Sequence, residues 1–244
     1  MATGSRQCLM DSLCVGYKSL KNVIFLHHKC GSMWLWKVFR RLLPSIEKID
    51  SWKTSTDRIV EVASSYESLF DANSTVDTKC VLDLWSYKGV HVVRDPRDIV
   101  VSSYFSHLHS HPIHREEWAQ HRSRLQSVSK EDGLIETIHF IDFVLSPMSN
   151  WKTTDNVLEM KFEDLIEHPE KISEALQWME IDVQLNLDGL DFKSLSNGRE
   201  RGLEDASHHY RKGVPGDWKN HLTDKVLEEF FCVYPKVVEK WGYE

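Results

Sequence analysis

One stretch near the start of the chain constrains the fold more than any other. Residues Asn22–His28 (NVIFLHH) form a short β-branched and aromatic run, the signature of a buried strand. Lys29-Cys30-Gly31-Ser32 follows at once, and then Leu35, Val38, Phe39 and Leu42 recur at helical spacing until Pro44. Strand, tight turn and helix in so few residues is half of a parallel βαβ unit, because a strand that feeds straight into a helix cannot form a hairpin.

The rest of the chain repeats the alternation. Lys53–Phe70 reads as an amphipathic helix, Lys79–Trp85 (KCVLDLW) as a second strand and Gly89–Arg94 (GVHVVR) as a third. Asp95 and Pro96 suit the N-cap and first position of a helix running to about His107. Helices are expected over Glu116–Val128, Gly133–Leu145 and Glu170–Met179, with a strand over Asn156–Phe162. A C-terminal helix from Thr223 to Lys240 is interrupted at Pro235. This order predicts an α/β fold, a central mostly parallel sheet flanked by helices on both faces. At 244 residues it fits one domain over 1–244, with residues 1–20 as a flexible N-terminal extension. Ligands of such sheets bind at the carboxyl ends of the strands.

Three segments lie where that rule puts a ligand. In His28–Trp34 (HKCGSMW), Gly31 allows close backbone approach, the helix N-terminus favours an anion, Ser32 adds a hydroxyl, Lys29 a full charge and Trp34 a ring for stacking. The pattern is not GxxxxGK[ST], because the lysine precedes the glycine. In the second, Arg94 ends a strand and Ser102 lies two turns into the next helix, so both can meet one phosphate. Arg97 and Asp98 are expected to form local ion pairs. The third, Tyr210–His221 (YRKGVPGDWKNH), reads as a mobile cationic loop able to close over an anion.

Charge and cysteine usage narrow the classes. The net charge of −7 argues against a nucleic-acid partner, though a pocket can be locally basic. Five cysteines, Cys8, Cys14, Cys30, Cys80 and Cys232, without a CxxC pair, read as reduced thiols. Met1–Leu20 shows no signal peptide or membrane span, which favours the cytoplasm. The nine tryptophans suggest aromatic-lined pockets. His107, His109, His111, His114 and His121 form a His-rich stretch, but without a Cys or carboxylate at fixed spacing it reads as a solvated or acceptor-lining loop and no metal is expected. Cys30 sits beside Lys29 at a helix N-terminus, a position that stabilises a thiolate.

Taken together and in order, these segments resemble the family of soluble sulfotransferases that use 3′-phosphoadenosine 5′-phosphosulfate (PAPS). The resemblance runs from Val23 to about Glu229, and Arg211-Lys212-Gly213 with Gly216–His221 is similar to the family's RKGxxGDWKNH signature. It implies a P-loop-like sulfotransferase fold and transfer of a sulfuryl group to a hydroxyl or amine of a small-molecule acceptor, with release of 3′,5′-ADP. No metal is implied. By the same resemblance Lys29, Cys30, Gly31, Ser32, Met33 and Trp34 form the 5′-phosphosulfate loop, with Lys29 at the bridging oxygen and Cys30 a bystander. Arg94, Ser102, Arg211, Lys212 and Gly213 hold the 3′-phosphate, while Phe162 and Phe192 flank adenine.

Three departures stand out. Met33 occupies a position where relatives carry Thr. The strand in which cytosolic relatives place a basic His (KTH-like) corresponds to Cys80–Trp85, which has none, so Asp83 and His107 are the expected general bases, with His109 or His111 as alternatives. Lys219, Thr223 and Glu228 match a KxxxTVxxxE dimer motif only in part, with Asp224 for Val, and make a homodimer an expectation. The rival readings are a nucleotide kinase with an atypical phosphate loop and a non-catalytic adenosine-bisphosphate binder.

Overall fold

The computed structural model describes residues 20–113 and 115–243. Cys8, Cys14, His114 and the N-terminal segment therefore lie outside the described residues.

Among the described residues the strands are β1 (Asn22–Leu26), β2 (Glu47–Ile49), β3 (Ser68–Asp71), β4 (Lys88–Val93) and β5 (Val157–Lys161), and they form one sheet in the order β2-β3-β1-β4-β5. Every neighbouring pair is parallel. The expected mostly parallel α/β domain is therefore present, and wholly parallel. Strand β1 is fully buried, so every residue in it must be apolar or paired. Val23 and Phe25 pack into one hydrophobic cluster, Ile24 and Leu26 into another. Two cores on opposite faces are what a doubly covered sheet requires.

Helix α1 (Ser32–Leu42) follows β1 and buries Leu35, Val38, Phe39 and Leu42 against the sheet, the spacing seen in the sequence. Then come α2 (Thr56–Ser65), α3 (Val76–Leu82), and α4 (Pro96–Phe105) with a π-helical turn over Ser106–Ser110. Helices α5 (Glu116–Ser127), α6 (Lys130–Phe140) and α7 (Asp142–Asn150) precede β5. After β5 come the α-helices α8 (Phe162–Glu167), α9 (Ile172–Trp178), α10 (Phe192–Leu195), α11 (Asp224–Val233) and α12 (Val237–Lys240).

Three expectations change. Lys79–Trp85 is not a strand: Val76–Leu82 is helical, with the Thr75 side chain accepting from the Thr78 amide as N-cap. A short apolar run carries no period long enough to separate strand from helix, and here the cap decides. The expected helix over Lys53–Phe70 stops at Ser65, and Ser68–Asp71 is strand β3, buried throughout. Gly133–Leu145 is two helices that break at Ile141.

One polar row crosses the interior. His27 Nε2 and His91 Nε2 are 2.8 Å apart, and His91 Nδ1 lies 2.5 Å from Glu159 of β5. The Trp151 ring stacks on His91 with centroids 4.2 Å apart. Burial pushes both imidazoles well below their ordinary value and Glu159 up to about 8, so a neutral network is buried rather than free charges. It holds the end of β1 just before the Lys29 loop.

Candidate active site

The sheet order reverses between β1 and β4, because β3 and β2 lie on one side of β1 and β4 and β5 on the other. A crevice opens at the carboxyl ends of strands that part in this way. A cavity of about 1170 Å³ lies there, lined by residues of the loops after β1, β3 and β4, by α1 and by the 209–214 segment. That size admits a nucleotide together with a small second molecule.

The loop after β1 is shaped by two residues in the left-handed region. Lys29 has φ 65° and Gly31 φ 81°. For Lys29 this is uncommon, and the turn it makes presents its carbonyl to Arg94 Nη1 at 2.9 Å. Gly31 is required on a second count: a Cβ there would fall 2.2 Å from the Phe162 ring. Gly31 is also the N-cap of α1 and brings no side-chain cap; the Trp34 amide donates to the Gly31 carbonyl at 3.0 Å, which leaves the amides before it for a ligand.

The cationic groups expected to hold phosphates meet in this cavity. Lys29, Arg94, Arg211 and Lys212 all line it, with Ser32 and Ser102. The Arg94 guanidinium lies 5.2 Å from the Phe162 ring centroid, and its Nε is buried without a partner among the described residues. A buried guanidinium N–H left unpaired costs about 1–3 kcal/mol, which an anion removes. Lys29 feels the crowding most. Burial, then the charges of Arg94 and Arg211, lower its ammonium to about 7.

The 210–221 segment is held from below. Asp98 of α4 accepts from the backbone amides of Gly216 at 2.7 Å and Trp218 at 2.9 Å. The local ion pairs expected of Arg97 and Asp98 are present: Arg97 makes a bidentate pair with Asp95, at 3.0 and 2.8 Å, and Asp98 lies 3.8 Å from Arg94 Nη2. Asp217 is buried and accepts from Lys212, Asn220 and Arg211. Burial alone would raise its carboxyl, but those hydrogen bonds outweigh it and hold the group well below the usual carboxylate range. The expected mobile loop is thus an anchored one. Gly213 (φ 72°) leaves room for the Phe192 ring, since a Cβ there would lie 2.4 Å from it.

Met33, Trp34, Phe162 and Phe192 also line the cavity. Trp34 is fixed edge-on to Phe162, with Nε1 donating to the Leu190 carbonyl at 2.9 Å. Cys30 is fully buried behind the loop and is not part of the lining. Burial pushes its thiol up to about 12, so the helix N-terminus does not make it a thiolate.

The two expected bases are not brought into the cavity lining. Asp83 caps the end of α3, ion-paired with Lys79 at 2.8 Å and accepting from the Tyr87 hydroxyl at 2.6 Å. His107 is 2 % exposed and packs behind His28, ring centroids 5.9 Å apart. His111 does reach the lining. Among the described residues no three His, Cys, Asp or Glu side chains could hold a metal ion.

The sequence reading missed the other half of the cavity. His28, Trp52, Asn73, Trp118 and Phe143 line it. The Trp52 and Phe143 rings meet edge to face at 4.7 Å, and Trp118 stacks on His111 at 4.1 Å. Only the position of His28, next to Lys29 at the end of β1, was a signal available without coordinates.

A family model described as Sulfotransferase domain matches residues 22–242. The chain is 29% identical over 164 residues to cytosolic sulfotransferase 11 of Arabidopsis thaliana, covering 59% of this chain and 45% of that one. It is 27% identical over 177 residues to the 3-alpha-hydroxysteroid sulfotransferase of Cavia porcellus, covering 63% and 59%. The matched stretch thus spans about half of the length of these curated relatives. In fold the chain is similar to mouse sulfotransferase SULT7A1 complexed with PAP, with a TM-score of 0.59 and 17% identity over 98% of this chain and 91% of that one. It is also similar to retinol dehydratase in complex with androsterone and PAP, with a TM-score of 0.51 and 13% identity over 92% and 82%.

Proposed function

The chain belongs to the sulfotransferase family, and from that premise we propose that it transfers a sulfuryl group from PAPS to a hydroxyl, or an amine, of a small organic acceptor and releases 3′,5′-ADP. The observation that carries the reading is the convergence of Lys29, Arg94 and Arg211, three cations from three distant segments, on one cavity beside Phe162 and Phe192. An anion with two separated phosphate groups and a flat base matches that layout.

In-line transfer needs positioned partners and a positive group where the leaving oxygen gathers charge. Lys29 supplies that group. Burial and the charges of Arg94 and Arg211 oppose its charge, and a bound polyanion restores it. Ser32 and the first-turn amides of α1 hold the 5′ side. Arg94, Ser102, Arg211, Lys212 and the Gly213 amide hold the 3′-phosphate, and the rings of Trp34, Phe162 and Phe192 enclose the base. Met33 contributes no hydroxyl, so one contact fewer reaches the phosphate.

The acceptor sits in the ring-walled half, between Trp52, Trp118 and Phe143. Curated relatives are named for cytosolic and hydroxysteroid sulfotransferases, and Cys30, Cys80 and Cys232 are free thiols. Both support work in the cytoplasm. Among the described residues no helix is long and apolar enough to cross a membrane. Lys219, Thr223 and Glu228 are exposed and form the surface through which a homodimer would assemble; sedimentation equilibrium of the parent and of Thr223→Arg tests it.

The test of the donor site is a thermal-shift titration with PAPS, 3′,5′-ADP, 5′-AMP and ATP. A ligand at 100 times its Kd adds about 2.7 kcal/mol to stability by mass action, which for a domain of this size raises Tm by about 5–10 °C. PAPS and 3′,5′-ADP are expected to do so. A flat response to both removes the reading, and a shift with ATP alone favours a kinase.

A further inference from the structure

The proposed transfer to a hydroxyl needs a group that takes the proton, and neither Asp83 nor His107 faces the cavity. Resting on that reading of the donor site, we propose that His28 is the general base, and that it deprotonates a ring-bearing alcohol or phenol seated among Trp52, Trp118 and Phe143.

Placement is the first support. His28 lines the cavity at the carboxyl end of β1, immediately before Lys29. Proton acceptor and leaving-oxygen cation therefore ride on one turn of chain, and both sit where the donor half meets the ring-walled half. The second support is the company His28 keeps. Its ring centroid is 5.2 Å from Trp52 and 6.4 Å from Trp118, and Phe143 closes the recess against Trp52 at 4.7 Å. A planar acceptor between those rings carries its hydroxyl to the imidazole.

The third is the state of the ring. Nε2 is buried and has no hydrogen-bond partner among the described residues. The His107 ring, which is not part of the lining, lies with its centroid 5.9 Å from that of His28. The charged or titratable groups that face His28 are Lys29, His107, His111 and His209. Burial first, then Lys29, His111 and His209, hold His28 well below the ordinary imidazole value, so it is neutral at pH 7, as a base must be.

The step balances. The acceptor O–H bond breaks and its proton passes to an imidazole nitrogen. The oxygen forms the new O–S bond as the bond from sulfur to the 5′-phosphate oxygen breaks with its electron pair. Lys29 neutralises the charge left on that phosphate, and the imidazolium returns its proton to water.

The test uses PAPS as donor and 2-naphthol or water as acceptor, with the parent, His28→Ala and His28→Gln compared in single turnover from pH 5 to 9. Titration with 3′,5′-ADP confirms that each variant is folded and holds the donor site. Both variants are expected to lose about 10²–10³-fold in rate, with 3′,5′-ADP affinity within a factor of about three. The acid limb of the pH–rate profile should vanish, and added imidazole should restore part of the rate to His28→Ala. A rate loss under about fivefold, or an acid limb that survives in His28→Gln, overturns the assignment. So does a parent that binds 3′,5′-ADP but passes sulfate to neither acceptor. Failure of the parent to bind 3′,5′-ADP strikes the donor-site reading itself, and a distinct result is thereby kept for each.

Discussion

At the scale of the residue, Lys29 is where sequence, strain and charge meet. It sits in a left-handed turn that Gly31, two residues on, shares, and among the described residues no carboxylate pairs with its charge. Replacement by Ala should cost at least about 10²-fold in transfer rate, the scale of losing one preorganised stabilising group, and should weaken 3′,5′-ADP by a smaller factor. Parent-like turnover of Lys29→Ala in a quench-flow assay excludes the role. The lowered ammonium also sets a pH dependence. Burial and the charges of Arg94 and Arg211 bring the Lys29 ammonium down to about 7, and a bound polyanion holds it protonated to higher pH. Binding at pH 8 must therefore take up a proton, and affinity for 3′,5′-ADP should be greatest below pH 7 and fall about tenfold per pH unit above it. Calorimetry in two buffers of different ionisation enthalpy reads the uptake directly; none at pH 8 refutes the linkage. Gly31→Ala puts a methyl into the Phe162 ring at a positive φ, so we expect a stability loss of about 1–3 kcal/mol and 3′,5′-ADP affinity reduced more than that of Ser32→Ala.

At the scale of the element, the decisive connection is the grip of α4 on the 210–221 segment. Two backbone amides share the Asp98 carboxylate, and removing it leaves both half-buried donors without that acceptor, at a cost of at most about 1–3 kcal/mol each. Asp98→Ala should loosen the segment, weaken 3′,5′-ADP through Arg211 and Gly213, and open a protease-sensitive site near Pro215. Limited proteolysis with and without 3′,5′-ADP checks it, and an unchanged cleavage pattern speaks against the anchor. Helix α3 carries the opposite lesson. Asp83 holds the buried Lys79 ammonium, whose partner loss costs on the order of 3 kcal/mol less what exposure of Asp83 screens. Asp83→Ala should thus lower Tm and leave turnover of the folded fraction intact. The sequence made Asp83 a base because it assigned this segment to a strand; the Thr75 cap and the i, i+4 pair of Lys79 with Asp83 belong to a helix.

At the scale of the whole molecule, most of the sheet and the cationic side of the cavity were legible beforehand. The strands at Asn22–Leu26, Lys88–Val93 and Val157–Lys161 announced themselves as short β-branched runs. Strands β2 and β3 did not. Glu47–Ile49 is three residues at the sheet edge, and Ser68–Asp71 directly follows a helical stretch, so neither offers a period that can be counted. The acceptor half was illegible for another reason. Trp52, Asn73, Trp118 and Phe143 come from four separate segments, and no spacing along the chain relates them.

The sequence by itself determined the strand–turn–helix units, the loops that end in Lys29 and Arg94 at the carboxyl edge of a parallel sheet, and the cationic 210–221 signature. These are local: each needs only residues within a dozen positions of one another, and the backbone rules for turns and helix starts act at that range. Tertiary structure alone decided which imidazole faces the cavity. His28 and His107 differ little as residues in a sequence, yet β1 delivers one to the lining and α4 runs on to place the other behind it. That choice depends on how elements far apart in the chain pack across the sheet, and packing is a property of the folded molecule rather than of any stretch of the chain.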